Sequence, residues 1–138
     1  MSPDPNSPTE HQIQCSVIDW RNTMQGKHPL LRWLHSIPNG ANLTLTEARW
    51  QVREGMTSGV PDLCLPVTMP KYSEWGSRGG VWAGLYIEVK TETGRFNANQ
   101  KEWLAGLKAN GFRAEMRRGV DPTIDLICEY LGIEYRGY

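Results

Sequence analysis

Apolar positions recur along this chain at two periods, every three to four residues in some stretches and every second residue in others. The points where the period changes divide the chain into helices and strands. Thr9 and Gln12 form a capping box, and Ile13, Val17, Trp20 and Met24 follow at helical spacing until Gly26 stops the run, which predicts a first helix from Thr9. The bulky stretch LLRWLHSI follows Pro29 and ends at Pro38-Asn39-Gly40, so it reads as a strand. Thr44 and Glu47 cap a short helix carrying Ala48, Trp50, Gln51 and Val52, with Gly55 as its stop. GVPDLCLPV, from Gly59 to Val67, predicts a strand that starts at the Pro61-Asp62 pair. Thr68 to Ala83 holds Pro70, Ser73, Gly76, Ser77, Gly79 and Gly80 and reads as a long loop exposing Trp75 and Trp82. Leu85 to Val89 alternates, so that Leu85, Ile87 and Val89 take one face and Tyr86, Glu88 and Lys90 the other. Asn97 and Gln100 cap a helix through Trp103, Leu104 and Leu107 to Asn110-Gly111; a strand follows from Phe112 to Arg117. Asp121-Pro122 opens a last helix carrying Ile124, Ile127, Cys128 and Leu131, closed by Gly132. Trp20, Trp33, Trp50 and Trp103 occupy apolar periodic positions and are expected in the core.

Composition narrows the picture. The 138 residues suit one domain over 9–138, after a disordered lead-in over 1–8 made of Pro, Ser, Asp and Asn without an apolar anchor. Fifteen basic and fifteen acidic residues cancel, so any surface for a polyanion must be a local patch. Cys15, Cys64 and Cys128 are odd in number and lack CxxC spacing, which argues against a disulfide framework or a zinc site. His11, His28 and His35 likewise lack metal-ligand spacing. No apolar run approaches the roughly 20 residues of a membrane span, and the first residues do not resemble an export signal, so a soluble cytoplasmic protein is expected.

The chemistry concentrates in three residues. Phosphodiester hydrolysis needs neutralised phosphate charge, an activated water and a stabilised leaving oxygen, all within reach of a carboxylate-held divalent ion. Mg²⁺, with its preference for hard oxygens, fits, and Asp62 and Glu88 are carboxylates set among apolar strand residues. Lys90, two residues beyond Glu88 on the same face, can act on the water and offset phosphate charge. Taken singly, Pro-Asp is a common turn and Glu-x-Lys a common solvated strand face. Taken in order, with a capped Asn-x-x-Gln helix after them, they point to a site.

The succession EHQIQ, IPNG, GVPDL, IEVK, NANQ and MRR resembles the VRR-NUC family, the virus-type replication-repair nucleases of the PD-(D/E)xK superfamily, over nearly the whole chain. The resemblance implies a restriction-endonuclease-like α/β core, a central mixed sheet flanked by helices. It implies that Asp62 and Glu88 hold the metal, Mg²⁺ with Mn²⁺ as substitute, assisted by Glu10 and the backbone carbonyl of Val89, while Lys90 acts on the water. Glu10, Gln14 and Gln100 match the family's helical Glu and Gln positions; without the resemblance Glu10 reads as a carboxylate placed for the helix dipole and Gln100 as a cap. Met116-Arg117-Arg118 stands where the family has Val-Arg-Arg, so Gln14, Arg117 and Arg118 are candidate DNA contacts; Lys71 and Arg78, beside the loop tryptophans, are further candidates. Small stand-alone members look like homodimeric, branch-selective endonucleases acting on Holliday junctions in DNA repair, in bacteria or phage-infected cells. The competing readings are a non-catalytic DNA-binding or recruitment module, and an interaction protein whose Glu-x-Lys is a salt-bridged strand face.

Overall fold

The computed structural model describes residues 5–40, 42–72 and 78–134, with Tyr72 and Arg78 described through their backbones only. The elements run α1 (Glu10–Met24), a 3₁₀ turn (Pro29–Trp33), β1 (His35–Ser36), α2 (Leu45–Arg53), β2 (Leu63–Leu65), β3 (Met69–Tyr72) and β4 (Arg78–Trp82). Then come β5 (Leu85–Lys90), α3 (Ala98–Ala109), β6 (Arg113–Arg118) and α4 (Val120–Leu131). Four strands form one sheet in the order β1-β2-β5-β6, antiparallel except for the β5/β6 pair, while β3 and β4 pair with each other. The parallel pair is joined by α3, the crossover that parallel neighbours require. This is the mixed α/β architecture that the periodicity predicts.

Leu85, Ile87 and Val89 of β5 share a buried layer with Leu63 and Leu65 of β2. Ile13, Val17 and Met24 of α1 and Ile124, Ile127 and Leu131 of α4 pack in the same layer. Each fully buried aliphatic side chain contributes roughly 1.5–3 kcal/mol. A one-residue slip of β5 would turn that whole layer outward, so its burial fixes the opposite face, the one bearing Glu88 and Lys90. All three predicted capping boxes form, at Thr9/Gln12, Thr44/Glu47 and Asn97/Gln100. No helix among the described residues is long and apolar enough to cross a membrane.

Three expectations need correction. Leu30 to Ile37 is not one strand: Pro29 opens a 3₁₀ turn whose three-residue period buries Leu31 and Leu34 together, and two residues, His35 and Ser36, go on to pair with β2. That turn leaves Trp33 49% exposed, and Trp50 on α2 is 67% exposed, so neither belongs to the core; Trp20 packs at its margin. Thr68 to Ala83 contains an antiparallel hairpin, β3 with β4, bulged between Pro70 and Tyr72. A proline fits there because a two-stranded edge can do without its N–H. Trp82 packs against the core instead of lying free, with the Lys71 ammonium 4.2 Å from its ring centre. Trp75, the side chain of Arg78 and residues 1–4 of the lead-in lie outside the described residues.

Candidate active site

Strand register assembles the site. Leu63 faces Ile87 in the antiparallel β2/β5 pair, so one step further along Asp62 falls opposite Glu88. β2 itself begins at Leu63, one residue later than expected, and leaves Asp62 at the strand's mouth, tied at both ends. Its Oδ2 accepts the Val89 N–H at 2.8 Å and its carbonyl accepts the Ile37 N–H at 2.8 Å. Glu88 and Lys90 are 3% and 5% exposed, which rules out a solvated Glu-x-Lys face. Lys90 Nζ lies 3.4 Å from Glu10 Oε1 and 3.8 Å from Glu88 Oε2, so the capped start of α1 delivers Glu10 to the end of β5.

Burial, before any neighbour, pushes the Glu88 carboxyl up to about 9; its hydrogen bond with Asp62 and the Asp62 charge push the same way, Lys90 opposes, and Glu10 adds a smaller push upward. With the buried Glu88 opposite Asp62, the two carboxyl groups form a hard-oxygen donor set with room for a divalent cation's charge. Among the described residues no three His, Cys, Asp or Glu side chains converge on one point, and the Glu10 carboxylate is turned to Lys90. The donors fit an ion that takes few protein ligands and keeps several waters, as Mg²⁺ does.

A cleft of about 730 Å³ opens beside the site, lined among others by Glu10, Gln14, Ser36, Asn39, Asn42 and Asp62. Gln14 thus lies where the helical spacing from Glu10 puts it. His11, His35, Asn39 and Asn42 line the same cleft and were missed as site residues. Pro38-Asn39-Gly40 carries a signal, but one legible only as a turn.

Gln100 is partly committed: its Oε1 accepts the Asn97 N–H at 3.1 Å in the α3 cap. Arg117 and Arg118 of β6 are both committed to bonds within the fold. Arg118 Nη1 donates to the carbonyls of Thr91 and Gly94, each at 2.7 Å, and so holds the turn that follows Lys90. Gly94 is required there, since a Cβ would stand 2.9 Å from Thr91 Oγ1 and 3.4 Å from Glu10 Oε1. Arg117 donates to Glu115 at 2.8 Å and to the Met116 carbonyl at 2.9 Å.

A strand-mouth aspartate opposite a Glu-x-Lys strand, on a four-stranded mixed sheet between helices, defines a nuclease core of the PD-(D/E)xK class. The VRR-NUC domain model matches residues 3–121, and the chain belongs to the VRR-NUC family of metal-dependent nucleases. It is similar to a solved structure described as "VRR_NUC domain protein", with 26% identity and a TM-score of 0.70, over 93% of this chain and 92% of that one. No curated protein matches the sequence.

Proposed function

We propose that this protein is a Mg²⁺-dependent DNA endonuclease, with Mn²⁺ able to substitute, selective for branched DNA such as four-way junctions and acting as a homodimer. The observation that carries the reading is the half-buried Asp62 set against the buried Glu88, with the Lys90 ammonium beside it. Asp62 and Glu88, with the Val89 carbonyl, would hold the ion; when bound it would supply Lewis-acid polarisation of the phosphate and an acidified water. The Val89 N–H fixes the Asp62 carboxylate, so its orientation is set before substrate arrives. Lys90, held by Glu10 and Glu88, offers its charge to the phosphate and a donor to the attacking water. Gln14 on the cleft wall and the NH₂ of Gln100 contact the backbone of the bound strand. Arg118 acts indirectly by holding the 91–94 turn; Arg117, Lys71 and Arg78 are outer contacts for DNA arms. Two copies give the two symmetric cuts that a junction needs.

The test is cleavage of labelled four-way junction, flap and linear duplex by wild type and Asp62→Ala, with Mg²⁺, Mn²⁺ or EDTA, alongside sedimentation. Expected are metal-dependent paired cuts at the junction and loss of at least 10³-fold in Asp62→Ala, the order seen when a group that organises the transition state is removed. Full cleavage by a folded Asp62→Ala would overturn the nuclease assignment. A monomer that cuts linear duplex equally well would overturn the junction assignment alone.

A further inference from the structure

α2 is the one α-helix of the described residues that buries none of its side chains. A helix of nine residues is marginal on its own in water, and its capping box supplies only part of what packing would. What it presents is specific. Arg49 and Arg53 lie one turn apart on an exposed face, and Trp50, 67% exposed, stands three residues before Arg53 on the adjoining flank. Neither guanidinium has an acidic partner among the described residues. Five other arginines are engaged: Arg113 and Arg117 on Glu115, Arg118 on the turn carbonyls, Arg21 on the Leu34 carbonyl and Arg32 on the Trp33 ring.

Both ends of α2 are pinned beside the active site. Its N-cap Thr44 stands two residues after Asn42, which lines the cleft. The helix returns through Ser58, whose carbonyl and hydroxyl accept Asn99 Nδ2 at 3.1 and 2.6 Å at the start of α3. Gly59, at φ +93°, then packs so tightly that a Cβ would meet Trp103 at 2.9 Å, and Asp62 follows three residues later. The loop before the helix is braced in turn, since Gly40 packs against the Met56 side chain beyond its far end. α2 is therefore a short arm fixed to the rim of the cleft.

We propose that the Arg49/Trp50/Arg53 face of α2 is a DNA-binding surface that grips the strand leaving the cleft, the two guanidiniums on successive phosphates and the indole stacked on a base or sugar. The proposal rests on the nuclease reading and extends it to a second contact. Planar guanidiniums suit bidentate phosphate binding, and an exposed indole gives a sequence-tolerant stacking surface. The positive charge belongs to the Arg49/Arg53 face alone, since Glu47 is tied into the helix N-cap and Glu54 stands at its C-cap. The three side chains touch no core, so their removal leaves the fold standing.

The experiment compares wild type, Arg49→Ala/Arg53→Ala, Arg49→Lys/Arg53→Lys and Trp50→Ala. Affinity for a labelled duplex with an unpaired flank is followed across salt, together with steady-state cleavage in Mg²⁺ and sedimentation. The double alanine variant should raise KM about tenfold with kcat nearly held, and make the slope of log K against log salt shallower by about 1.8. The double lysine variant should recover the slope, and Trp50→Ala should weaken the unpaired flank more than blunt duplex. Equal KM and salt slope in a wild type and double alanine variant that both cut would overturn this proposal alone. So would a wild-type dimer that Trp50→Ala splits while DNA affinity is unchanged, since a second copy would then cover the face. Wild-type silence on all DNA would overturn the nuclease reading and this surface with it.

Discussion

Glu88 carries a cost of burial that Lys90 offsets only in part. Its carboxyl is raised from 4.5 to about 9 in the fold. Below pH 4.5 both folded and unfolded chains hold the proton and nothing is lost. Between 4.5 and about 9 unfolding releases the proton, so the metal-free fold loses stability as pH rises through that window. Glu88→Gln removes the titration. In EDTA the two proteins should melt together near pH 4.5, and the variant should melt higher at pH 8, by about 5 °C or more. A difference that stays flat across the window would contradict this. The meeting of Asp62, Glu88 and Lys90 was legible in the sequence because strand alternation puts a Glu and a Lys on one face and Pro61-Asp62 sets a carboxylate at the mouth of an apolar strand. The partners of Arg117 and Arg118 were not, because Glu115 and the 91–94 carbonyls meet them only once β6 pairs with β5.

At the scale of elements, what could be read ahead was whatever is encoded within a few residues. The three capping boxes join residues three apart and form as expected. The 3₁₀ turn and the hairpin escaped because each depends on a distant surface: Leu31 and Leu34 enter a core built by other elements, and Trp82 packs on that core from a glycine-rich segment with no alternation of its own. α2 forms where its capping box predicts it, but its apolar residues satisfy a helical period without being buried, so Trp50 does not enter the core. The α3 cap separates structure from chemistry at Gln100, where a glutamate can still accept the Asn97 N–H but has no NH₂ to offer. Gln100→Glu should hold stability within about 0.5 kcal/mol and lose tenfold or more in cleavage, while Gln100→Ala should cost about 1 kcal/mol in denaturant unfolding. Full cleavage by Gln100→Glu would reduce Gln100 to a cap.

For the whole molecule the governing fact is that several of its cations are committed to bonds within the fold. The chain has 15 Lys and Arg against 15 Asp and Glu. Lys90, Arg113 and Arg117 are ion-paired, Arg118 and Arg21 hold backbone carbonyls, and Lys71 lies on an indole. These commitments, with no net positive charge to add, limit the counterions displaced, so one protomer on linear duplex should meet only some three or four phosphates and give a log K against log salt slope of about −3. That is shallow for a DNA-binding protein and matches a site that must let product go. If two protomers hold a four-way junction, each brings its own contacts, and the slope there should be near twice the duplex value at the same protein concentration. Binding titrations of both substrates across salt decide the matter. Equal slopes would mean that a single protomer carries the junction and that paired cutting needs two independent arrivals, whereas a steep slope on both would mean that the internal arginines let go of Glu115 and the turn when DNA binds.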